Sequence, residues 1–187
     1  GRDWKAIVVP GQWSMQGFKV DSAGFGGYQT TFTLPADWQG KQVKLRFDGV
    51  SSESVVYLNG KEIGSHMGGM TAFELDVTKG LKAGENLLAL RVRSESLADM
   101  LGSLTQYAAH QLEGITRKVT FFAVPDIHLS DLRIVTELDD DYKDADLKVY
   151  LSVTNSSDEI QKDVSVRLSL CGLPVILSRH IPEIAAG

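Results

Sequence analysis

Five aspartates fall within eight residues at Asp139-Asp140-Asp141, Asp144 and Asp146, and hard cations such as calcium favour several carboxylate oxygens close together. The run lacks the glycine of a calcium loop and lies between two predicted strands, so it reads as a solvated hairpin turn. Trp4, Trp13 and Trp38 offer a second chemistry, because a sugar's apolar face stacks on a rigid indole that loses little entropy. Trp13 and Trp38 sit beside turn or strand-edge residues, where a tryptophan usually seals a core edge. Gly24-Phe25-Gly26-Gly27 has the composition of a phosphate cradle. A strand follows it, however, where a phosphate loop needs the N-terminus of a helix. His66, His110, His128 and His180 are too scattered to define a metal set. Cys171 lies on a Leu-rich and β-branched alternating strand, the usual place of a buried inert thiol. No metal ligand, cofactor or catalytic residue is assigned from these groups.

The bulk balance narrows the classes further. The chain has 187 residues, a formal net charge of −5, 43% hydrophobic and 23% charged residues, which is an ordinary globular composition for one large or two small domains. Nucleic-acid binding needs a clustered Lys/Arg surface, and the sequence shows none. No stretch approaches the roughly 20 apolar residues of a membrane-spanning helix. The opening Gly1-Arg2-Asp3-Trp4 is neither an initiator methionine nor a signal core, so a trimmed N-terminus is expected. A lone cysteine rules out an internal disulfide framework and a cysteine zinc site.

The elements that must position these residues are short strands. Period-two alternation in brief runs, each ended by turn residues, marks strands with one buried face. Such runs read at Tyr28 to Leu34, Gln42 to Phe47, Ser54 to Leu58, Lys61 to Gly64, Ala72 to Val77, Asn86 to Val92 and Arg117 to Val124. Asn59-Gly60 is the strongest hairpin signal, since both central residues of a type I′ turn need positive φ. Gly68 and Gly69 suit a loop whose backbone visits conformations closed to other residues. Asp48 and Asp76 at strand ends read as turn or cap acceptors. The best helical candidate is Ser96 to Leu101, with Leu97 and Leu101 one turn apart.

Pro125-Asp126 breaks the series. A second set follows at Ile127 to Leu138, Leu147 to Thr154, Val164 to Leu170 and Val175 to His180. Many short strands with regular turns predict an all-β architecture of sandwiches or barrels. The boundaries expected are 1–125 and 126–187. About four strands fall short of the seven of an immunoglobulin-like sandwich, so the second unit is expected to be partial, with an exposed sheet edge.

Three motifs resemble the N-terminal region of glycoside hydrolase family 2, the family of β-galactosidases and β-glucuronidases. One is Val8-Val9-Pro10-Gly11-Gln12-Trp13-Ser14-Met15-Gln16-Gly17-Phe18. Another runs from Leu45-Arg46-Phe47-Asp48-Gly49-Val50 through Val56-Tyr57-Leu58-Asn59-Gly60-Lys61 and His66-Met67-Gly68-Gly69 to Phe73-Glu74-Leu75-Asp76-Val77. The third is Gly114-Ile115-Thr116-Arg117. The resemblance implies a jelly-roll, galactose-binding-like β-sandwich as a sugar-binding domain, followed by a partial immunoglobulin-like β-sandwich.

It also implies where the chemistry lies. Members hydrolyse glycosides with retention through two carboxyl groups about 5 to 5.5 Å apart, both on a (β/α)₈ barrel that needs roughly 250 residues. No such segment occurs in these residues, so the chain itself is expected to hydrolyse nothing. Its part would be to support the barrel and to meet the carbohydrate substrate at the pocket rim. In relatives an aspartate about six residues before the Gly-Ile stretch contacts substrate, whereas Ala108 stands here. Gln106, Tyr107 and His110 flank that position and are polar enough to replace it. Lys19-Val20-Asp21 stands where β-galactosidases tend to carry an asparagine, and both departures count against galactose. Members of the family also suggest a homo-oligomer and export to the periplasm or extracellular space. An autonomous carbohydrate-binding module and a purely structural spacer remain as alternative roles.

Overall fold

A computed structural model describes residues 4–21, 24–97, 101, 112–170 and 175–187. It is all-β, and the chain divides into two compact units, Gly1–Ala123 and Val124–Gly187.

In the first unit a four-stranded antiparallel sheet runs in the order β1 (Gly26–Thr33), β7 (Glu85–Arg93), β4 (Glu53–Leu58), β5 (Lys61–Met67). A three-stranded sheet has β2 (Gln42–Phe47) between β6 (Phe73–Asp76) and β9 (Val119–Val124). A short pair joins β3 (Val50–Ser51) to β8 (Gly114–Ile115). Alternation decides which face is buried. In β7, Asn86, Leu88, Leu90 and Val92 are buried while Arg91 between them is exposed. Val43, Leu45 and Phe47 of β2, Val56 and Leu58 of β4 and Leu88, Leu90 and Val92 of β7 share one core with Trp13, Tyr28, Val50, Val77 and Ile115. Each such side chain taken fully out of water contributes about 1.5–3 kcal/mol. Phe47 stacks on Phe73 at 4.9 Å between ring centroids, and Phe32 on Phe121 at 4.3 Å.

The β4–β5 hairpin turns at Asn59 (φ 52°) and Gly60 (φ 84°), the left-handed pair that the Asn-Gly signal requires. The asparagine side chain also reaches inward. Its Nδ2 donates to the Gly80 carbonyl at 2.9 Å and to Asn86 Oδ1 at 2.8 Å, and its Oδ1 accepts from the Leu87 N–H at 3.0 Å. Asn86 is fully buried and ties down the next turn through Lys82 and Gly84. A buried amide is tolerated because its polar atoms are paired.

The second unit holds two antiparallel hairpins, β10 (Ile127–Leu138) with β11 (Ala145–Asn155), and β12 (Gln161–Ser169) with β13 (Val175–Ile184). The aspartate run forms the β10–β11 turn. Asp139 Oδ1 accepts the Lys143 N–H at 2.7 Å, its carbonyl accepts the Tyr142 N–H at 3.1 Å, and its own N–H reaches Asp144. This is the hairpin reading, with the Asp139 carboxylate spent on its own turn. Leu129, Leu132, Ile134 and Leu138 on β10 remain exposed. Among the described residues, no helix is long and apolar enough to cross a membrane.

Candidate functional site

Gly69, Gly114 and Arg117 gather around β3 and β8, with Trp13 over Gly114, whereas Asn59 and Gly60 close the hairpin at the far end of β4. Trp13 opens a single 3-10 turn, Ser14–Gln16, which stops at Gly17 (φ 83°). Gln16 then clasps the extended segment before it, accepting from the Val8 N–H at 2.8 Å and donating to the Val8 carbonyl at 2.9 Å. These bonds aim the Trp13 ring inward. It is 3% exposed, lies 6.2 Å from the Tyr28 ring and covers the backbone of Gly26. A Cβ on Gly26 would come within 2.5 Å of the Trp13 ring, closer than any real contact. Trp13 is thus a core-edge seal, and Trp38 packs against the same core.

Gly114 has φ 84°, and a Cβ there would collide with the Tyr28 hydroxyl and the Trp13 ring. The Gly-Ile-Thr-Arg stretch therefore begins with a glycine because aromatic rings close over its backbone. Burial raises the Tyr28 phenol's pKa, and the nearby Glu113 carboxylate raises it further, against a lowering by the Ile115 backbone amide. The phenol oxygen lies close to that amide but short of a well-formed hydrogen bond. Arg117 is exposed, and its backbone N–H donates to the Gly49 carbonyl at 3.3 Å. It borders a shallow hollow of about 380 Å³ with Gln12, Met15, Met70 and Leu112. The nearby loop is fixed by Gly68, whose N–H donates to the Ser52 carbonyl at 2.7 Å with φ 133°, and by Gly69, packed on Ser51. Gln106, Tyr107 and His110 lie outside the described residues.

Asp48 and Asp76 act as acceptors. Asp76 Oδ1 takes the Thr78 N–H at 3.0 Å and its Oδ2 pairs with Lys44 at 2.9 Å. Burial works against that charge, but the bonds from Lys44 and Thr78 prevail and hold the carboxyl below its ordinary pKa. Asp48 and Glu74 both hold Arg46, at 2.7 and 2.8 Å, and raise its pKa.

A second concavity, about 640 Å³, opens along the edge strand β1. Its lining includes Trp4, Lys5, Lys19, Phe25, Gly27 and Arg91. Trp4 is 53% exposed, and Gly27, paired in register with Arg91, leaves a bare stretch of backbone beneath the Trp4 ring. The Arg91 guanidinium lies 3.8 Å from the centroid of Phe25. The three tryptophans do not form a shared platform: Trp4 stands open, Trp13 is core and Trp38 is not part of this lining. Sequence reading passed over Lys5 and Arg91 and met Phe25 only within the glycine-rich stretch; the one signal on offer was strand parity at Arg91. Residue 91 falls on the outward face of β7, opposite a glycine.

Residues 2–125 match the family described as glycosyl hydrolases family 2, sugar binding domain. The chain is 27% identical to a β-galactosidase of Priestia megaterium over 89% of its length, and 34% identical to one of Clostridium acetobutylicum over 71%. It spans 18% and 14% of those two proteins. Among solved structures it resembles Bacteroides uniformis β-glucuronidase 2, covalently bound to cyclophellitol-6-carboxylate aziridine, at a TM-score of 0.78 and 27% identity, covering 98% of this chain and 23% of that one. With the family's motif positions built into one aromatic- and glycine-sealed core, the chain belongs to glycosyl hydrolase family 2, and its first unit is the family's sugar binding domain.

Proposed function

We propose that this chain is the non-catalytic N-terminal part of a retaining family 2 glycosidase, β-galactosidase-like in architecture. In this reading residues 1–125 buttress a catalytic barrel and lend it a pocket rim through the loop from Gln106 to Glu113. Residues 126–187 begin an immunoglobulin-like sandwich. The observation that carries the reading is the likeness to a β-glucuronidase over 98% of this chain, both units included. Local chemistry agrees with it. The acidic residues at the motif positions are engaged in structural pairs, Asp76 with Lys44 and both Asp48 and Glu74 with Arg46, so none is free to act as the acid or nucleophile of a retaining pair.

The test is incubation of the purified chain with nitrophenyl β-galactoside and nitrophenyl β-glucuronide. No nitrophenol release above the uncatalysed rate is expected. Turnover that survives repeated purification would overturn the reading.

A further inference from the structure

The groove along β1 combines features that structural packing does not require. Three cationic side chains, Lys5, Lys19 and Arg91, line it, and among the described residues no Asp or Glu does. Among the described residues none of the three forms a salt bridge. Arg93, two residues on and stacked on the same Phe25 ring at 4.2 Å, is paired with Glu53 at 3.7 Å. The chain as a whole carries −5, so this local excess runs against the overall charge. Unpaired like charges around a shared concavity repel one another, and an anion placed between them relieves that repulsion.

The geometry narrows the kind of anion. Phe25 supports the guanidinium of Arg91 from one face, and its edge donors, unpaired among the described residues, suit the fork-shaped bonds a carboxylate accepts. Trp4 presents an open indole beside it, suited to the apolar face of a pyranose ring. Gly27, which has no side chain, lets the Trp4 ring lie against the strand, 3.7 Å from where a Cβ would stand. A small inorganic anion would use the cations and leave Trp4 idle. A neutral sugar would use Trp4 and leave three cations idle.

We propose that the groove lined by Trp4, Lys19, Gly27 and Arg91 binds an acidic carbohydrate, a uronate-bearing oligosaccharide, with Trp4 stacked on a sugar ring and Arg91 and the lysines holding its carboxylate. The inference rests on the reading of the first unit as a carbohydrate-recognition domain, and it assigns that role to a place separate from the Gln106 to Glu113 rim. Binding here does not need a barrel.

The experiment is calorimetric titration of the 187-residue chain with tetragalacturonic acid, its fully methyl-esterified form and inorganic phosphate. The acid is expected to bind, the ester roughly tenfold or more weakly, and phosphate not to compete at equal concentration. Arg91→Gln and Lys19→Gln are each expected to weaken the acid roughly tenfold, and Trp4→Ala to weaken acid and ester alike. The affinity for the acid should fall as salt rises from about 0.05 to 0.3 M. Lys19 sits on an exposed loop, so its variant keeps the test sound should Arg91→Gln disturb β7. Equal binding of acid and ester, full competition by phosphate, indifference to both charge variants, or no binding at all would each overturn the proposal. Because none of these results bears on nitrophenyl glycoside turnover, failure here and failure of the proposed function are distinguishable.

Discussion

At the scale of single residues, three glycines separate two different demands on a backbone. Gly60 needs its left-handed φ of 84° and has nothing within 4 Å of where a Cβ would stand, whereas Gly26 needs empty space for the Trp13 ring. Gly114 needs both. Gly60→Ala should therefore cost about 1 kcal/mol through conformation alone. Gly26→Ala should cost about 1–3 kcal/mol through overpacking against an indole that is itself buried. Gly114→Ala should exceed either. Urea unfolding midpoints of the three variants check the order, and a Gly26→Ala variant as stable as the parent would contradict the role given to Trp13.

At the scale of elements, alternation sets the core, and burial rather than residue type sets its energetics. Phe47 on β2 is fully buried, while Leu147 on β11 is 41% exposed. Phe47→Ala is expected to cost about 3–5 kcal/mol, and Leu147→Ala well under half as much because little cavity can form. Parallel denaturant titrations of the two variants measure the difference. The same alternation explains what could be read without a structure. Gln42 to Phe47 is a strand with the bounds its pattern predicts, and the Asn59-Gly60 turn has the positive φ pair its chemistry demands. Strand β5 runs three residues past Gly64, to Met67. There His66 stacks on Phe73 at 4.2 Å, a contact between the two sheets that no local pattern announces. Val50–Ser51 pairs with Gly114–Ile115 in a ladder too short to leave a periodicity. The packing role of Gly26 was equally hidden, because a glycine's need for space shows only once the ring above it is known. The β1 groove was hidden for a related reason. Lys5, Lys19 and Arg91 are far apart in sequence and line one concavity only in the folded unit. The suggested rim residues Gln106, Tyr107 and His110 lie outside the described residues, so that part of the site stays a sequence expectation.

At the scale of the whole molecule, charge and architecture bear on the proposed role of recognition and support. The first unit encloses one core between a four-stranded and a three-stranded sheet and spends its motif residues on closing it. The motif carboxylates pair with cations across strands, while the cations of the β1 groove are left open toward solvent. The chain spans 23% of Bacteroides uniformis β-glucuronidase 2, which makes that enzyme a direct host for testing what the chain contributes. The decisive measurement is the glucuronide hydrolysis rate of a graft in which the matching residues of that enzyme are replaced by this chain, beside a version with those residues deleted. A supporting role predicts that the graft folds and hydrolyses nitrophenyl β-glucuronide while the deletion does not. A folded graft as inactive as the deletion, or a deletion as active as the parent enzyme, would contradict it.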